Sequence, residues 1–307
     1  MDYFFQKFCN FYPHHKLNTK FKKKLFYLIF SLTKLFLKGP FILNFDKFKF
    51  FAYPQKKNYS RSFLTKINLH DESEIELLNK NIDKNSIFID CGANQGFYSI
   101  PISGYNPNVK VYAFEPSEQE MFLLKENIKL NNFYNIETLK VAIAEKEGEF
   151  YFKNDNINEH STKGGFIVDD DENKSTSSIV KAITLNKFVS DLKISENKRI
   201  FIKIDLEGYD INAIYGSDTI INNFFVLILF EFSRMSIKNK IYKFKEFENF
   251  LKKNDLIILD IGLNQISLKD LHNKIDQLDE RYDVLGNFLI IKRENLSLFK
   301  YWFCLMV

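Results

Sequence analysis

A chain of 307 residues can bury a large core without disulfide or metal staples. Apolar residues at 45% and charged residues at 27% exclude a wholly disordered or fibrous protein. The net charge of +4, from 43 basic and 39 acidic residues, is too balanced to mark a nucleic-acid binder by itself, and the widely spaced Cys9, Cys91 and Cys304 form neither a disulfide framework nor a zinc pattern, which favours a reducing compartment.

Residues 1–60 differ from the rest. They are rich in Lys, Phe and Tyr, and their only acids are Asp2 and Asp46. The run from Leu25 to Leu37 is nearly all apolar, follows Lys22, Lys23 and Lys24, and ends at Lys38-Gly39-Pro40, a good helix stop. It falls short of the roughly 20 residues that span a bilayer. No small-residue cleavage site follows it, so a signal peptide is poorly supported. On a helix, Lys20, Lys24, Tyr27, Ser31, Lys34 and Lys38 form one polar stripe opposite a broad apolar face. That face either packs on the main domain or lies in a membrane interface.

From about residue 60, β-like runs alternate with helical ones. Ser86 to Asp90 reads as a buried strand, Tyr98 to Ser103 as helix and Val109 to Phe114 as a second strand. Ser117 to Leu130 has helical spacing, with Ser117 as N-cap and Glu120 completing a capping box. Ile136 to Ile143 reads as a third strand and Gly148 to Lys153 as a short antiparallel one, while the polar stretch 154–178 reads as a surface loop. Arg199 to Asp205 and Phe224 to Phe230 are strands with a helix between them. Ile241 to Lys253 is an amphipathic helix, and Leu256 to Asp260 and Asn287 to Ile291 close the pattern as strands. Such alternation predicts a doubly wound, mostly parallel α/β sheet with helices on both faces. Ligands of such sheets bind beyond the carboxyl ends of the strands.

Three groups of residues fall at those ends. Asp90-Cys91-Gly92-Ala93-Asn94-Gln95-Gly96 follows the first strand. Gly92 and Gly96 let backbone approach a ligand closely, and Asp90 can meet an ammonium or cap the turn. Glu115, 25 residues after Asp90, ends the second strand, where an acid can accept two ribose hydroxyls or merely cap the next helix. A dinucleotide loop has glycine where this one has Asp90. A carboxylate repels a pyrophosphate but attracts a sulfonium and an ammonium, so S-adenosylmethionine fits better than NAD. Lys203-Ile204-Asp205-Leu206-Glu207-Gly208 follows the fourth strand. Asp205 and Glu207 can differ in burial, so that one serves as a base; a structural acid, an ammonium ligand and a metal ligand are the other roles open to Asp205. Lys203 is expected to alternate to the other face. Glu231 leaves an apolar strand, either to line an acceptor pocket or to cap the strand. The five histidines are scattered and have no metal-ligand spacing.

Taken together, the stretches IFIDCGANQGFYS (87–99), VYAFEPSEQEMFLLKENIKLNN (111–132), LKVAIAEKEGEFYF (139–152), TLNKFVSD (184–191), IFIKIDLEGYDINAIYGS (200–217) and VLILFEFS (226–233) resemble the FkbM family of S-adenosylmethionine-dependent methyltransferases. The resemblance covers residues 62 to 235. It implies a Rossmann-like class I methyltransferase fold over 61–293, beside an N-terminal extension over 1–60 and a tail over 294–307. Asp90, Gly92, Asn94 and Gly96 match the family's cofactor loop, Glu115 its ribose-binding acid, and Asp205, Glu207 and Gly208 its motif after the fourth strand. Cys91 and Gln95 stand where the family more often has aliphatic residues.

The expected activity is O-methyl transfer from S-adenosylmethionine to a hydroxyl of a sugar, glycolipid or other small-molecule acceptor. Asp205 is the candidate base and Glu207 its reserve, with no metal. An N-methyltransferase, an NAD-dependent oxidoreductase and a non-catalytic nucleoside-binding module are the alternatives. No nucleic-acid partner is expected. The expected location is the cytoplasm, with peripheral contact at the inner face of the membrane through residues 20–38.

Overall fold

The computed structural model describes residues 2–11, 24, 28, 29, 32, 36–53, 71–154, 165–168, 177–234, 244–279, 284–297 and 299. Helix α1 (Asp2–Phe11) and a hairpin of β1 (Phe41–Asn44) and β2 (Lys49–Ala52) come first. Next come α2 (Glu72–Asn81), β3 (Ser86–Cys91), α3 (Ser99–Tyr105), β4 (Lys110–Phe114), α4 (Glu118–Asn131) and β5 (Ile136–Leu139). Four further strands follow: β6 (Ala142–Ile143), β7 (Gly148–Asn154), β8 (Gly165–Val168) and β9 (Ser178–Ile183). The chain then runs through α5 (Leu185–Leu192), β10 (Arg199–Ile204), α6 (Asp210–Tyr215), α7 (Asp218–Asn223), β11 (Phe225–Ser233) and α8 (Phe244–Lys253). It closes with β12 (Leu256–Leu259), β13 (Gln265–Ile266), α9 (Leu268–Asp276) and β14 (Val284–Lys292).

The main sheet has the order β13-β12-β14-β11-β10-β3-β4-β5. Neighbours from β5 to β11 pair parallel, whereas β14 runs antiparallel between β11 and β12. The chain winds outward from β3 through β4 to β5, then returns to β10 on the other side of β3. The crevice of such a sheet opens where the winding reverses, above the ends of β3 and β10.

Both central strands are buried along their whole length. Ile87, Ile89 and Cys91 of β3 lie with Ile200, Ile202 and Ile204 of β10 against Phe188, Ile214 and Phe247. On the other face, Phe88 and Phe201 pack with Leu77, Leu78, Tyr98 and Ile102. Helices covering both faces explain why these strands read as continuous apolar runs. Asp90 and Lys203, one step further along that second face, pair in register. An apolar sheet face thus ends in two opposite charges at the crevice.

Two sequence expectations change. The stretch 136–143 is not one strand: β5 pairs with β4 in the main sheet, and β6 pairs with β9 in a separate four-stranded sheet. The stretch 154–178 is not all loop, because β8 pairs antiparallel with β7 and buries Ile167 beside Ala142 and Phe152. Polar neighbours hide a four-residue strand from any periodicity argument. The expected helix over 20–38 lies mostly outside the described residues.

The N-terminal hairpin is fastened to the body by asparagines four apart on α4. The Asn127 Oδ1 accepts from the Phe51 N–H at 3.0 Å, and Asn131 exchanges two hydrogen bonds with the Lys49 backbone at 2.6 and 2.8 Å. These satisfy an otherwise unpaired strand edge. Phe50 stacks on Phe97 with ring centroids 5.7 Å apart. The buried Asn127 also donates from Nδ2 to the Gln95 carbonyl at 2.9 Å. Asn127→Leu keeps the branching at Cγ but strands two backbone groups and is expected to cost roughly 2 kcal/mol. Urea denaturation checks this, and a loss below about 0.5 kcal/mol would show that the tie is unimportant.

Candidate active site

The loop after β3 is laced to its neighbours by backbone groups. The N–H groups of Gly92 and Ala93 donate to the Phe114 carbonyl at 3.0 and 2.8 Å. A Cβ on Gly92, at φ +82°, would lie 2.0 Å from the Asp205 carbonyl oxygen, so only glycine lets the loops after β3 and β10 cross. Asn94 adopts φ +50°, and its N–H donates to Glu115 Oε2 at 2.8 Å. The other Glu115 oxygen accepts from the Ser117 N–H at 2.8 Å. Ser117 caps α4, its side chain accepting from the Glu120 N–H, but its own N–H goes to Glu115, so the return bond expected from the Glu120 side chain is supplied by Glu115 instead. Asp90 Oδ2 accepts from both the N–H and the hydroxyl of Ser99, at 3.0 and 2.5 Å, and so holds the start of α3.

Gly96 stands apart from the ligand side. Its φ is +94°, and a Cβ there would meet Ile100 and Leu124, each at 2.8 Å. Glycine is required for packing between α3 and α4, and Gly96 does not line the cleft. The expectation that it leaves room for a ligand is therefore corrected. Gln95 is also structural, donating from Nε2 to Glu120 at 2.9 Å.

The opposite end of the site is built on β10. Lys203 is 1% exposed and does not turn away from Asp205 as expected: two residues apart, they face the same cleft. Its ammonium donates to Asn287 Oδ1 at 2.9 Å, lies 3.6 Å from Asp205 Oδ2, and sits 5.2 Å from the centre of the Tyr98 ring. Asn287 donates in turn to Asp71 at 3.1 Å and Glu74 at 3.3 Å, and the Tyr98 hydroxyl donates to Asp71 at 2.7 Å. Donors on one side and acceptors on the other fix the Asn287 amide. Glu231 lies within β11, in register with Asn287, and neither ends the strand nor lines the cleft. Glu207 lines the cleft at φ +52°. Its turn is held by the buried Asp210, which accepts from the Leu206 and Gly208 N–H groups, both at 3.1 Å. Sequence reasoning missed Asn287, Tyr98, Asp71 and Asp210; only Asp210, two residues after Gly208, carried a local signal as a turn-capping acid.

Between these ends lies an open cleft, lined from β3, β4, β10 and the small sheet. Asp90, Glu115, Asp205 and Glu207 are its lining acids, and Lys203 is its only lining cation among the described residues. The small sheet contributes an apolar wall of Ala142, Ile143, Phe152 and Ile167 beside Glu115. Acids at two ends and an apolar wall between suit a nucleoside that carries a sulfonium and an amino-acid ammonium. Among the described residues, no three His, Cys, Asp or Glu side chains are grouped to hold a metal ion.

Burial dominates the site's titration. It pushes Asp90 up to about 6, against the Ser99 hydrogen bonds and Lys203, which pull down. It pushes Glu115 up to about 8, against two backbone N–H donors. Burial and the Asp205 charge lift Asp210 to about 7. Lys203 is lowered by burial but held above its ordinary value by Asp205, Glu231, Asp71 and Asp210. Each raised carboxyl makes the folded chain bind more protons than the unfolded chain, from the ordinary carboxylate range up to its raised value. Stability therefore falls as pH rises through that window. Melting of the ligand-free protein is expected at a lower temperature at pH 8.5 than at pH 5.5, with Glu115→Gln flattening the upper part of the slope. A melting temperature that is flat or rises over this window would contradict the burial assignments.

The profile of the methyltransferase FkbM domain matches residues 90–258. Among solved structures, the chain resembles methyltransferase FkbM from Methylobacillus flagellatus KT, at 15% identity and a TM-score of 0.40, over 67% of this chain and 44% of that one. The chain thus spans under half the length of that protein. It also resembles M. jannaschii TYW2 in complex with AdoMet (12%, 0.39, covering 82% of this chain and 84% of that one) and M. jannaschii tRNA m1G37 methyltransferase (13%, 0.40, 82% and 57%). No curated protein matches the chain. The expectation that excluded a nucleic-acid partner is corrected, since a similar structure is that of a tRNA methyltransferase. The profile match covers more than half of the chain, over the same loops that build the cleft: the protein belongs to the FkbM methyltransferase family, with a Rossmann-like class I fold and S-adenosylmethionine as methyl donor.

Proposed function

We propose that the protein is an O-methyltransferase that methylates a hydroxyl of a sugar, glycolipid or other small-molecule acceptor, with Asp205 as the base. One observation carries this reading. The Asp205 carboxylate, 36% exposed, stands at the end of β10 on the cleft, with the buried Lys203 ammonium 3.6 Å behind it. Bound S-adenosylmethionine supplies an electrophilic methyl whose leaving group departs as a neutral thioether. The reaction then asks the protein for positioning and for one proton acceptor. Asp205 takes the hydroxyl proton, Lys203, itself held by Asn287, keeps its carboxylate in place, and Glu207 is the reserve. Glu115 receives the ribose hydroxyls, while Asp90, Gly92 and Asn94 shape the loop beneath the cofactor and Gly96 packs that loop on its helices. Burial and the neighbouring Asp205 favour the protonated form of Glu231, which suits it less to proton abstraction.

In this reading, residues 61–293 carry the chemistry, residues 294–307 form a tail, and residues 1–60 make a peripheral contact at the inner face of the membrane, in which residues 20–38 take part. Among the described residues, no helix is long and apolar enough to cross a membrane.

Tritiated methyl transfer from S-adenosylmethionine into fractionated lipid, glycan and protein extracts of the source cells tests the reading. Asp205→Asn is expected to lower transfer by about 10²–10⁴ while keeping S-adenosylhomocysteine affinity within a few fold; Lys203→Met should follow it in the same direction. Unchanged transfer in Asp205→Asn would remove that residue from the chemistry. Glu115→Ala should weaken S-adenosylhomocysteine binding about tenfold or more, the loss of charge-assisted hydrogen bonds worth about 1.5–3 kcal/mol. Because the carboxylate form accepts both hydroxyls, wild-type affinity should rise as pH rises through about 8. Calorimetry giving equal affinities for Glu115→Ala and wild type would refute the ribose assignment.

A further inference from the structure

The N-terminal segment is docked by one face and shows an apolar second face to solvent. Phe5 and Cys9 of α1 are buried, and the Phe5 ring meets Phe41 of β1 at 4.8 Å. Gln6 brackets the Ile42 backbone with hydrogen bonds of 3.0 and 2.8 Å. The Asp2 carboxylate accepts from the Lys38 N–H at 3.1 Å, joining the start of α1 to the end of the 20–38 segment. Ile29 packs inward on the same cluster. Outward, Tyr3 is 65% and Phe4 73% exposed, and Leu28, Leu32 and Phe36, four residues apart, are 54%, 69% and 66% exposed. Lys24 extends that row and is exposed as well. Of the eleven exposed large apolar side chains among the described residues, five lie within the first 36 residues, which singles out this face.

Charge selects the occupant. Residues 1–60 hold twelve lysines and two aspartates, a net +10, whereas residues 61–307 hold 31 basic and 37 acidic residues, a net −6. Two copies meeting through this face would oppose +10 with +10. A surface of lipid phosphates supplies both the negative charge and the apolar layer beneath it. Resting on the peripheral-membrane reading above, we propose that Tyr3, Phe4, Leu28, Leu32 and Phe36, with the exposed Lys7, Lys24 and Lys38, form a docking face for an anionic lipid bilayer. Aromatic and leucine side chains enter the interface while the lysines stay at the level of the phosphates. Both α1 and the segment after it take part, so the contact is wider than one helix.

The test is sedimentation of the full-length chain with two kinds of vesicle, pure phosphatidylcholine and phosphatidylcholine with about one third phosphatidylglycerol. The wild type is expected to bind the anionic vesicles at least about tenfold more tightly, and to lose most of that preference when salt is raised from about 0.1 to 1 M. Tyr3→Ser/Phe4→Ser and Leu28→Ser/Leu32→Ser/Phe36→Ser should each weaken binding about tenfold or more, with S-adenosylhomocysteine affinity and melting temperature unchanged. Wild-type chain that ignores both vesicles would overturn the membrane reading itself. Anionic-vesicle binding that survives both sets of substitutions would leave that reading standing and overturn this face. A self-association in size-exclusion chromatography that the same substitutions abolish would assign the face to a second copy and equally overturn the proposal.

Discussion

The site depends on one close passage of backbone. Gly92 and the Asp205 carbonyl are so near that a single added carbon would sit 2.0 Å from the oxygen. The Asp205 N–H donates to the Cys91 carbonyl at 3.0 Å, so the two loops are also hydrogen-bonded. This passage fixes how far the cofactor loop stands from the candidate base. It also sets Asn94 over Glu115, since the same loop continues from Gly92 to the hydrogen bond at the end of β4. A sheet that wound in one direction only would have no such crossing, because its neighbouring loops would both leave on the same side.

The second constraint is the cost of burying charge. Lys203 is almost fully buried and faces Asp205, Glu231, Asp71 and Asp210. A lone buried ammonium would be strongly disfavoured, and so would these acids without it. The sheet resolves both by placing the lysine where Phe88 and Phe201 end and Asp90 begins, with Asn287 and the Tyr98 ring holding it in place. Asp90 and Glu115 are treated differently. Each is tied to backbone or hydroxyl donors at a helix start, and each still titrates above its ordinary range, because desolvation outweighs those bonds.

What the sequence disclosed follows the range of the interactions. Strands β3 and β10 were legible because burial on both faces demands an unbroken apolar run. The N-cap at Ser117 was legible because its bond to the Glu120 N–H spans three residues. Asp90, Gly92, Glu115 and Asp205 sit at strand ends, where the alternating pattern itself points. Asn287 was not legible. Its partner Lys203 is 84 residues away in the chain, and the pairing arises only because β14 inserts antiparallel between β11 and β12. Gly96 was legible as a glycine but not in its purpose, since its missing side chain is set by Leu124 of α4 rather than by a ligand. Strand β8 has only four residues among polar neighbours, and in the hairpin β1–β2 apolar residues also fill the half-buried positions Ile42 and Phe51, which masks the alternation of the buried Phe41, Leu43, Phe50 and Ala52.

The hairpin matters beyond its own stability because it lies between the exposed N-terminal face and the cleft. On one side, β1 receives Phe5 and Gln6 of α1 and so carries the exposed aromatic and leucine face. On the other, Phe50 of β2 stacks on Phe97, which lines the cleft, and Asn127 ties β2 to the cofactor loop through Gln95. These are ring contacts and paired hydrogen bonds in a buried cluster, which transmit displacement rather than absorb it. The exposed face and the loop at Asn94 are thus two sides of one packed cluster, and the asparagine ties on α4 are where they meet.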